Sequence, residues 1–596
     1  MFVVWLLTAV LVGCRPPNAG ADAQPVKLTI AAINDFHGAL YEKDHGDDGM
    51  VVGGLPWFMG ALDHLRDEDP DLVVLDGGDL FQGTWPVNAT KGRGSVEAFN
   101  LMRVDAAAVG NHEFDYGPAG MASHPLRGAL RDAAHLAGFH WLTANVSIVA
   151  DDVPSPWAPP GIEPYALIER KGVTIGVIGL TTTETPQTTL ARNVVDLRFN
   201  DPVETVRALV PQLRASGADV IAVVGHLTGA CDPASYFEVG EPCLPDGEIG
   251  RLLTELPRGT IDVMVVGHAH TLMAHRWEDT FLLENRSMGH AIGVLDLVVG
   301  PTGVDRDASA VRQPWALVHE PSEPGCGGGG YDADPQMLGG VAEITPSLDA
   351  ISLVRALEGD VGSLCDPVAC TEHRVLRSAT EESPIGNIVA DAMRDAFKGA
   401  ELAITNSGGL RSDFPKGTVR REHVHEVMPF DNRLLLLEMS GEQLQRVFRL
   451  GSSGAHGILQ VSGGGYAFDP TSTTGSDIDG DGEVDIWERD RLCSVEIIGA
   501  ALDPQRTYRV VTTDFLFEGG DHLGPGFEGV EVQDTGPLLR EQIVTWLERQ
   551  SSCLDSEPLV SEEWPRVSHV PCKAAPPEGE GEEAEGLLSP DAAEDL

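Results

Sequence analysis

Apolar runs that stop abruptly at glycine and polar residues recur along the first half of the chain. Buried strands are predicted at residues 27–33, 71–75, 106–109, 173–179, 219–224 and 261–266. Segments with helical periodicity lie between several of them, at residues 61–66, 95–102 and 201–216. This alternation predicts a layered α/β domain, whose site lies at the carboxyl ends of its strands.

Five of these strands end in residues that can bind a metal ion. The candidates, in chain order, are Asp35 and His37, Asp79, Asn111, His226, and His268 with His270. A lone histidine after a strand is usually structural, but five such strand ends in succession predict a shared metal site. Histidines, carboxylates and one amide without thiolates suit two catalytic ions such as Zn or Mn. Two such ions polarise phosphate oxygens and lower the pKa of a water that attacks as hydroxide.

Three segments in the second half of the chain have the character of a binding site. The candidates that could form hydrogen bonds, through the side chain or the backbone, are Asn406, Gly409, Arg411 and Asp521. The glycines expose backbone N–H groups, and the planar guanidinium of Arg411 suits phosphate or carboxylate. Phe430 and Phe515 lie in predicted loops, where an exposed ring is costly unless something stacks on it. The alternative is that both rings belong to the core of a second domain.

The strand-end residues resemble those of the calcineurin-like dinuclear metallophosphoesterases, and Gly-Asn-His-Glu-Phe-Asp at residues 110–115 resembles the 5′-nucleotidase branch. The resemblance implies one ion on Asp35, His37 and His270, a second ion on Asn111, His226 and His268, and a bridging Asp79. It also implies that His112 stabilises the transition state or protonates the leaving oxygen while Asp115 orients its imidazole. The alternative for Asp115 is a carboxylate that caps the loop. Glu113 and Phe114 are expected to be turn and packing residues.

The same resemblance extends in order over residues 26–547 and implies a C-terminal domain that binds the nucleotide. Phe430 and Phe515 would sandwich the base, Asn406 and Asp521 would contact base or ribose, and Arg411 would contact phosphate.

One position departs from the family pattern. Ala379 stands where family members present a phosphate-binding arginine, shortly before the helix predicted at residues 384–397. Arg377 or Arg374 could substitute from nearby. The departure leaves the preferred phosphate ester open.

Residues 477–488 fit the twelve-residue calcium loop. The candidate calcium residues are Asp477, Asp479, Asp481, Glu483, Asp485 and Glu488. Gly482 supplies the sharp turn at the sixth position. We expect a lone structural calcium site, and the alternative is an acidic, solvated hairpin.

An apolar run at residues 2–12 is too short to span a bilayer and ends just before Cys14. It resembles a bacterial lipoprotein signal, in which Cys14 is lipidated and becomes the mature N-terminus. No basic residue precedes Phe2, so a different start or export route stays open. We expect an exported protein, held at the bacterial cell envelope or in the periplasm through that lipid alone.

The remaining eight cysteines are an even number, as expected for disulfides in an oxidising compartment. Nearness in sequence favours the pairs Cys231/Cys243, Cys365/Cys370 and Cys553/Cys572, which would leave Cys326 with Cys493.

The chain of 596 residues carries a formal net charge of −50. Such a surface repels phosphate backbones, which argues against a nucleic-acid polymer as partner. Residues 573–596 supply only eight of the acidic groups, so the folded part is acidic too. This tail is too polar to fold and is expected to be disordered.

We therefore expect an α/β protein with a four-layer metallophosphoesterase β-sandwich flanked by helices and a second α/β substrate-binding domain. The expected divisions are a signal at 1–14, a spacer at 15–25, the first domain at 26–310, a linker and connecting helix at 311–367, the second domain at 368–550 and an extension at 551–596. Within this, weak periodicity at residues 304–340 predicts a linker or exposed loop.

The expected activity is hydrolysis of nucleoside 5′-monophosphates, with two divalent ions as cofactors. The alternatives are hydrolysis of 2′,3′-cyclic nucleotides or UDP-sugars on the same scaffold, and a non-catalytic surface lipoprotein. The oligomeric state is left open.

Overall fold

Two large sheets packed face to face form the centre of the first domain. The computed structural model describes residues 24–44, 50–118, 126–150, 153–231, 243–320, 336–338, 342–358, 364–554 and 565–572. One sheet has the strand order Gly303–Val304, Ala291–Gly300, Val26–Ile33, Val73–Asp76, Ala106–Ala108, His140–Leu142, Ile162–Glu163. The other has the order Tyr165–Arg170, Val173–Thr181, Val220–His226, Val263–Gly267, Thr280–Asn285, Leu272–Trp277.

Apolar side chains from the facing sides of both sheets, among them Ile30 and Val224, make the core between them. The outer face of the first sheet is covered by the helices Leu55–Glu68, Arg93–Met102 and Leu348–Glu358. The helices Pro202–Ala215 and Gly247–Glu255 cover the second. The expected four-layer sandwich is confirmed. Because these strands are buried on both faces, the sequence shows continuous apolar runs instead of alternating apolar and polar residues.

A third sheet forms the second domain, with the strand order Leu459–Ser462, Leu402–Asn406, Thr507–Thr513, Arg433–Ser440, Val532–Leu538. The helices Pro384–Asp395 and Leu539–Leu547 pack on one face, and Gly441–Gly451 packs on the other. Ser383 caps the first of these helices, since its hydroxyl accepts a hydrogen bond from the backbone N–H of Gly386.

The described part of the chain also contains shorter strands and helices. The remaining strands are Glu42–Asp44, Val51–Gly53, Val146–Ala150, Val153–Pro156, Leu197–Phe199, Ala310–Val311, Trp315–Ala316, Val318–His319, Gln336–Leu338, Ala342–Ile344, Pro367–Thr371, Gly417–Arg420, Gly464–Phe468, Leu492–Ile497, Ala500–Ala501 and Val567–His569. The remaining α-helices are Trp85–Ala89, Gly128–Ala134, Thr185–Thr188, Arg421–Val427 and Asp514–Phe517.

The predicted linker from residue 304 onward is wrong as far as residue 319. Trp315–Ala316 pairs with Ala291–Gly300, and Val318–His319 pairs with Val51–Gly53. Trp315 is buried because it packs on the outer face of the first sheet. Local periodicity cannot reveal such a contact, since the strand is only two residues long.

The disulfides correct two of the local pairings. Cys231 is bonded to Cys243 as expected, but Cys370 is bonded to Cys553 and Cys493 to Cys572. The pairs Cys365/Cys370, Cys553/Cys572 and Cys326/Cys493 are therefore wrong. Cys365 is also disulfide-bonded. The end of the second domain returns to its first strand, where the backbone N–H of Leu554 donates to the carbonyl of Cys370.

Several expectations concern residues outside the described ranges. These are the signal with Cys14, the spacer up to residue 23, Cys326 and the tail from residue 573. Among the helices that the structure describes, none has the length and apolar character needed to cross a bilayer.

We expect the change Cys553→Ser to lower the melting temperature more than Cys243→Ser does. The bond to Cys370 closes a sequence separation of 183 residues, whereas the bond to Cys231 closes one of 12. Loss of the longer closure frees more chain entropy in the unfolded state. Removal of one native disulfide lowers the free energy of unfolding by roughly 2–5 kcal/mol, and the larger loss is expected for Cys553→Ser. Calorimetry of both variants checks this, and a larger loss in Cys243→Ser would contradict it.

Candidate active site

The predicted strand ends meet at one edge of the two sheets because neighbouring strands are parallel and in register. Val26–Ile33 lies beside Val73–Asp76, and His226 lies beside Gly267 in the second sheet. The backbone there is unusual: Asp35, His37, Asp79, His268 and His270 all have φ between 47° and 104°. Such conformations are rare for residues other than glycine, and they are found more often at functional sites.

Asp35, His37 and His270 form one cluster of donor atoms. The Nε2 atom of His270 is 3.1 Å from Nε2 of His37 and 3.3 Å from Oδ1 of Asp35. Nδ1 of His37 lies 3.1 Å from the carbonyl oxygens of Phe81 and Gln82. Because a carbonyl only accepts, Nδ1 carries the proton and the Nε2 lone pair faces the cluster.

The other metal candidates gather around Asp79. Nε2 of His226 is 3.0 Å from Oδ2 of Asp79 and 3.2 Å from Nδ1 of His268. Nδ1 of His226 donates to the carbonyl of Gly77, so Nε2 is the nitrogen that faces Asp79 and His268. The same Oδ2 of Asp79 is 3.8 Å from Nε2 of His37, so this carboxylate lies between both clusters.

Asn111 provides a test of whether the set fits metal ions. Its side-chain oxygen is buried and has no hydrogen-bond partner, while its amide nitrogen donates to the carbonyl of Thr188. A buried carbonyl oxygen without a hydrogen-bond partner destabilises the fold unless a cation binds to it. The donor set therefore fits two divalent ions, with oxygen and nitrogen ligands only.

The electrostatics of the site also suit cations. Burial by itself would raise the pKa of Asp79, but His226, His112 and other nearby histidines outweigh it and hold the pKa well below its usual range. Asp79 is thus an anion in a buried setting.

His112 and Asp115 form the expected pair. Nδ1 of His112 donates to Oδ2 of Asp115 over 2.6 Å, and Nε2 of the same ring is 2.9 Å from the guanidinium of Arg411. Burial lowers the pKa of His112, but the carboxylates of Asp115 and Asp79 outweigh it and raise the pKa. The other oxygen of Asp115 accepts from the hydroxyl of Thr189 over 2.7 Å.

The sequence does not predict the contact between Thr189 and Asp115. Thr189 lies 74 residues from Asp115, and no local pattern marks it.

Glu113 does more than the turn role expected of it. Its buried carboxylate accepts hydrogen bonds from the backbone N–H groups of Asp79, Leu80, Phe81 and Gly110. It therefore joins the loop that carries Asp79 to the loop that carries His112. Burial and the neighbouring Asp79 raise the pKa of Glu113 to about 7. Phe114 is buried, as expected of a packing residue.

The substrate candidates of the second domain face the metal candidates across one cavity of 680 Å³. All six line it: Asn406, Gly409, Arg411, Phe430, Phe515 and Asp521. Phe430 stacks on His112 with ring centroids 5.6 Å apart, and the guanidinium of Arg411 lies 5.2 Å from the centre of the Phe430 ring. Both phenyl rings are partly exposed to the cavity, and both also pack against the core of the second domain.

Ala379 also lines this cavity, so a methyl group stands where the family resemblance implies an arginine. The two neighbouring arginines each have a partner. Arg374 is paired with Asp413, and Arg377 donates to the carbonyl of Leu410.

The acidic loop at residues 477–488 brings its carboxylates together. Ligand atoms of Asp477, Asp479 and Glu488 lie within 4.8 Å of one another, and so do those of Asp479, Asp481 and Asp485. The side chain of Glu483 belongs to neither group among the described residues. The loop lies next to the substrate cavity, since Trp487 stacks on His522, the neighbour of Asp521, at 4.7 Å.

Two family models match the chain. The calcineurin-like phosphoesterase model matches residues 28–272, and the 5′-nucleotidase C-terminal domain model matches residues 362–528. The chain belongs to the 5′-nucleotidase family. Its two domains make it a phosphoester hydrolase, and the metallophosphoesterase fold implies divalent metal ions.

Relatives in this family match over most of the chain. Protein UshA of Yersinia enterocolitica is 26% identical over 88% of this chain and 91% of its own length. Cell wall protein Lmo0130 of Listeria monocytogenes is 25% identical, over 87% of this chain and 67% of its own length. The crystal structure of the 5′-nucleotidase precursor from Thermus thermophilus aligns with a TM-score of 0.70 at 25% identity, covering 91% of this chain and 99% of that one.

We expect the change Thr189→Val to lower kcat by roughly tenfold without unfolding the protein. Valine has nearly the same shape, but Asp115 loses a hydroxyl donor and the imidazole of His112 loses its fixed orientation. Hydrolysis of bis-p-nitrophenyl phosphate with Mn²⁺ measures the effect. The matched control is Thr254→Val, which removes a hydroxyl bonded only to the carbonyl of Gly250. Equal rates for both variants would contradict this role.

Proposed function

We propose that the chain is an exported enzyme that hydrolyses nucleoside 5′-monophosphates to nucleoside and phosphate. The observation that carries the proposal is the meeting of two candidate sets across one cavity: the guanidinium of Arg411 in the second domain lies 2.9 Å from Nε2 of His112 in the first. A monophosphate in this cavity would have the candidate metal ligands on one side and the aromatic rings on the other.

Divalent ions would be held by the two donor clusters. One ion would bind to Asp35, His37 and His270, the other to Asn111, His226 and His268, with Asp79 as the shared ligand. When bound, such ions polarise phosphate oxygens and lower the pKa of water.

The side chains of this chain supply the remaining roles. Asp115 holds Nδ1 of His112, so Nε2 is the atom that can carry a proton to the leaving 5′-oxygen or stabilise the transition state. Arg411 brings a permanent positive charge to the phosphate. Phe430 and Phe515 would stack on the base, and the bonded pair Asn406 and Asp521 would contact base or ribose. Gly409 allows the backbone to approach closely.

A specific observation favours a second candidate activity. Ala379 puts a methyl group in the cavity wall at the position where the family resemblance implies an arginine, and Arg374 is paired with Asp413. A terminal phosphate with two negative charges would therefore meet less positive charge than in the family pattern. Phosphodiesters such as 2′,3′-cyclic nucleotides, or the pyrophosphate of UDP-sugars, carry less charge per phosphorus and are the alternative substrates.

One assay series distinguishes these activities. Purified protein with Mn²⁺ or Zn²⁺ is offered AMP, 2′,3′-cyclic AMP, UDP-glucose and bis-p-nitrophenyl phosphate. We expect AMP to have the highest kcat/KM and His112→Ala to lower it by about a hundredfold or more, since general acid catalysis contributes about 10²–10⁴. A higher kcat/KM for a diester would favour the second candidate. No metal-dependent turnover of any compound would favour a non-catalytic binding lipoprotein.

Export and anchoring belong to the same proposal. The apolar run before Cys14, the three described disulfides and the similarity to the Listeria cell wall protein support a location outside the cytoplasm. We propose attachment through a lipid on Cys14 and a first domain that extends beyond residue 310 to residue 319, because the intervening strands pair with its sheets. The second domain is proposed at residues 368–550.

We also propose that the loop 477–488 binds a structural calcium ion. The double change Asp477→Ala and Asp481→Ala should abolish the rise in melting temperature that calcium produces, because binding at a hundred times Kd stabilises the native state by about 2.7 kcal/mol. Thermal melts with increasing Ca²⁺ at constant Mn²⁺ measure this. Asp534→Ala, an exposed acid elsewhere in the same domain, is the control. A calcium response that survives in the double variant would contradict the site.

A further inference from the structure

A short turn of the first domain is bonded to the loop that carries the catalytic pair. The turn Ala191–Asn193 follows Thr189, whose hydroxyl donates to the carboxylate of Asp115. The side-chain amide of Asn193 donates to the backbone carbonyls of Phe114 and Asp115, over 2.8 and 3.1 Å. The turn is therefore held firmly against the segment that positions His112.

Arg192, in the middle of this turn, reaches the second domain. One guanidinium nitrogen is 2.6 Å from Oε1 of Glu518, and the other is 3.1 Å from Oδ2 of Asp514. These two carboxylates stand at opposite ends of the helix Asp514–Phe517, which carries Phe515. The second oxygen of Asp514 accepts from the backbone N–H groups of Phe515 and Arg433. Movement of Asp514 would therefore move the ring of Phe515 too.

The contact lies at the boundary between solvent and the cavity. The side chain of Arg192 is 48% exposed, whereas those of Asp514 and Glu518 are 9% and 28% exposed, so water screens the two ion pairs only in part. Arg192 also lines the same cavity as Phe515 and Asp115, and it contacts both ends of the helix that carries the ring. Its position links two parts of the site that belong to different domains.

We propose that Arg192 is a positioning residue for nucleotide binding. By holding Asp514 and Glu518, it fixes Phe515 over the cavity while its own turn fixes Asp115. The contact between the two domains is thereby tied to the placement of the base. This inference rests on the proposed nucleotide hydrolysis and adds a specificity-determining residue to it.

The consequence is a different dependence on Arg192 for two kinds of substrate. Arg192→Ala should raise KM for AMP by roughly three- to tenfold with little change in kcat, because binding of the base is weakened and the reacting groups stay in place. Hydrolysis of bis-p-nitrophenyl phosphate, which has no base, should change by less than about twofold. Arg192→Lys should have a KM between those of Arg192→Ala and the wild type, since lysine keeps the positive charge but lacks the bidentate fork.

The ion pair itself is tested by a double-mutant cycle with Glu518→Ala. If Arg192 acts through Glu518, the two changes together should raise KM for AMP by less than the product of their separate effects. Full multiplicativity, with no effect of Glu518→Ala alone, would mean that Arg192 does not act through Glu518 and would overturn the proposed contact with both ends of the helix. Raising the salt concentration should raise KM of the wild type more than that of Arg192→Ala.

The matched control is Arg251→Ala. Arg251 also binds two carboxylates, those of Asp201 and Glu255, and is 46% exposed, but both partners lie in its own domain. It should leave KM for AMP unchanged. If the wild type does not hydrolyse AMP, the proposed function fails. If it does and Arg192→Ala has wild-type KM, the positioning role alone is wrong.

Discussion

The carboxylate of Glu113 is the contact on which the geometry of the site depends. It is buried, and four backbone N–H groups from two different loops donate to it. Those loops carry Asp79, which lies between the two metal clusters, and His112. A buried carboxylate with several donors is stable only where all of them converge, so it fixes both loops at once.

This convergence allows a backbone that would otherwise be unfavourable. Five metal candidates have left-handed φ values, each costing of the order of 1–3 kcal/mol in isolation. Glycine relieves crowding where the two loops approach each other: a Cβ atom on Gly110 would lie 2.1 Å from Oδ1 of Asp79. The core between the two sheets provides the stability that offsets this strain, and the strand ends present the ligands at its edge.

The cavity between the domains determines what can be bound there. The first domain contributes the metal ligands and the His112–Asp115 pair, and the second contributes Arg411, the two phenyl rings and Ala379. The candidate metal ligands and the candidate substrate contacts thus lie on separate domains. The alanine at residue 379 changes the lining of the cavity on the second domain and leaves the candidate metal ligands of the first domain in place.

The layered fold and the metal candidates can be predicted from the sequence, because each candidate follows an apolar run and the carboxyl ends of parallel strands must meet at one edge. Arg411, Phe430 and Phe515 can be predicted too, since such residues in loops need a partner. Folding in three dimensions was needed to reveal the Cys370–Cys553 bond, the strand at Trp315, and the contacts of Thr189 and Arg192. These depend on pairs far apart in the chain or in different domains, where no local period or spacing records which residues meet.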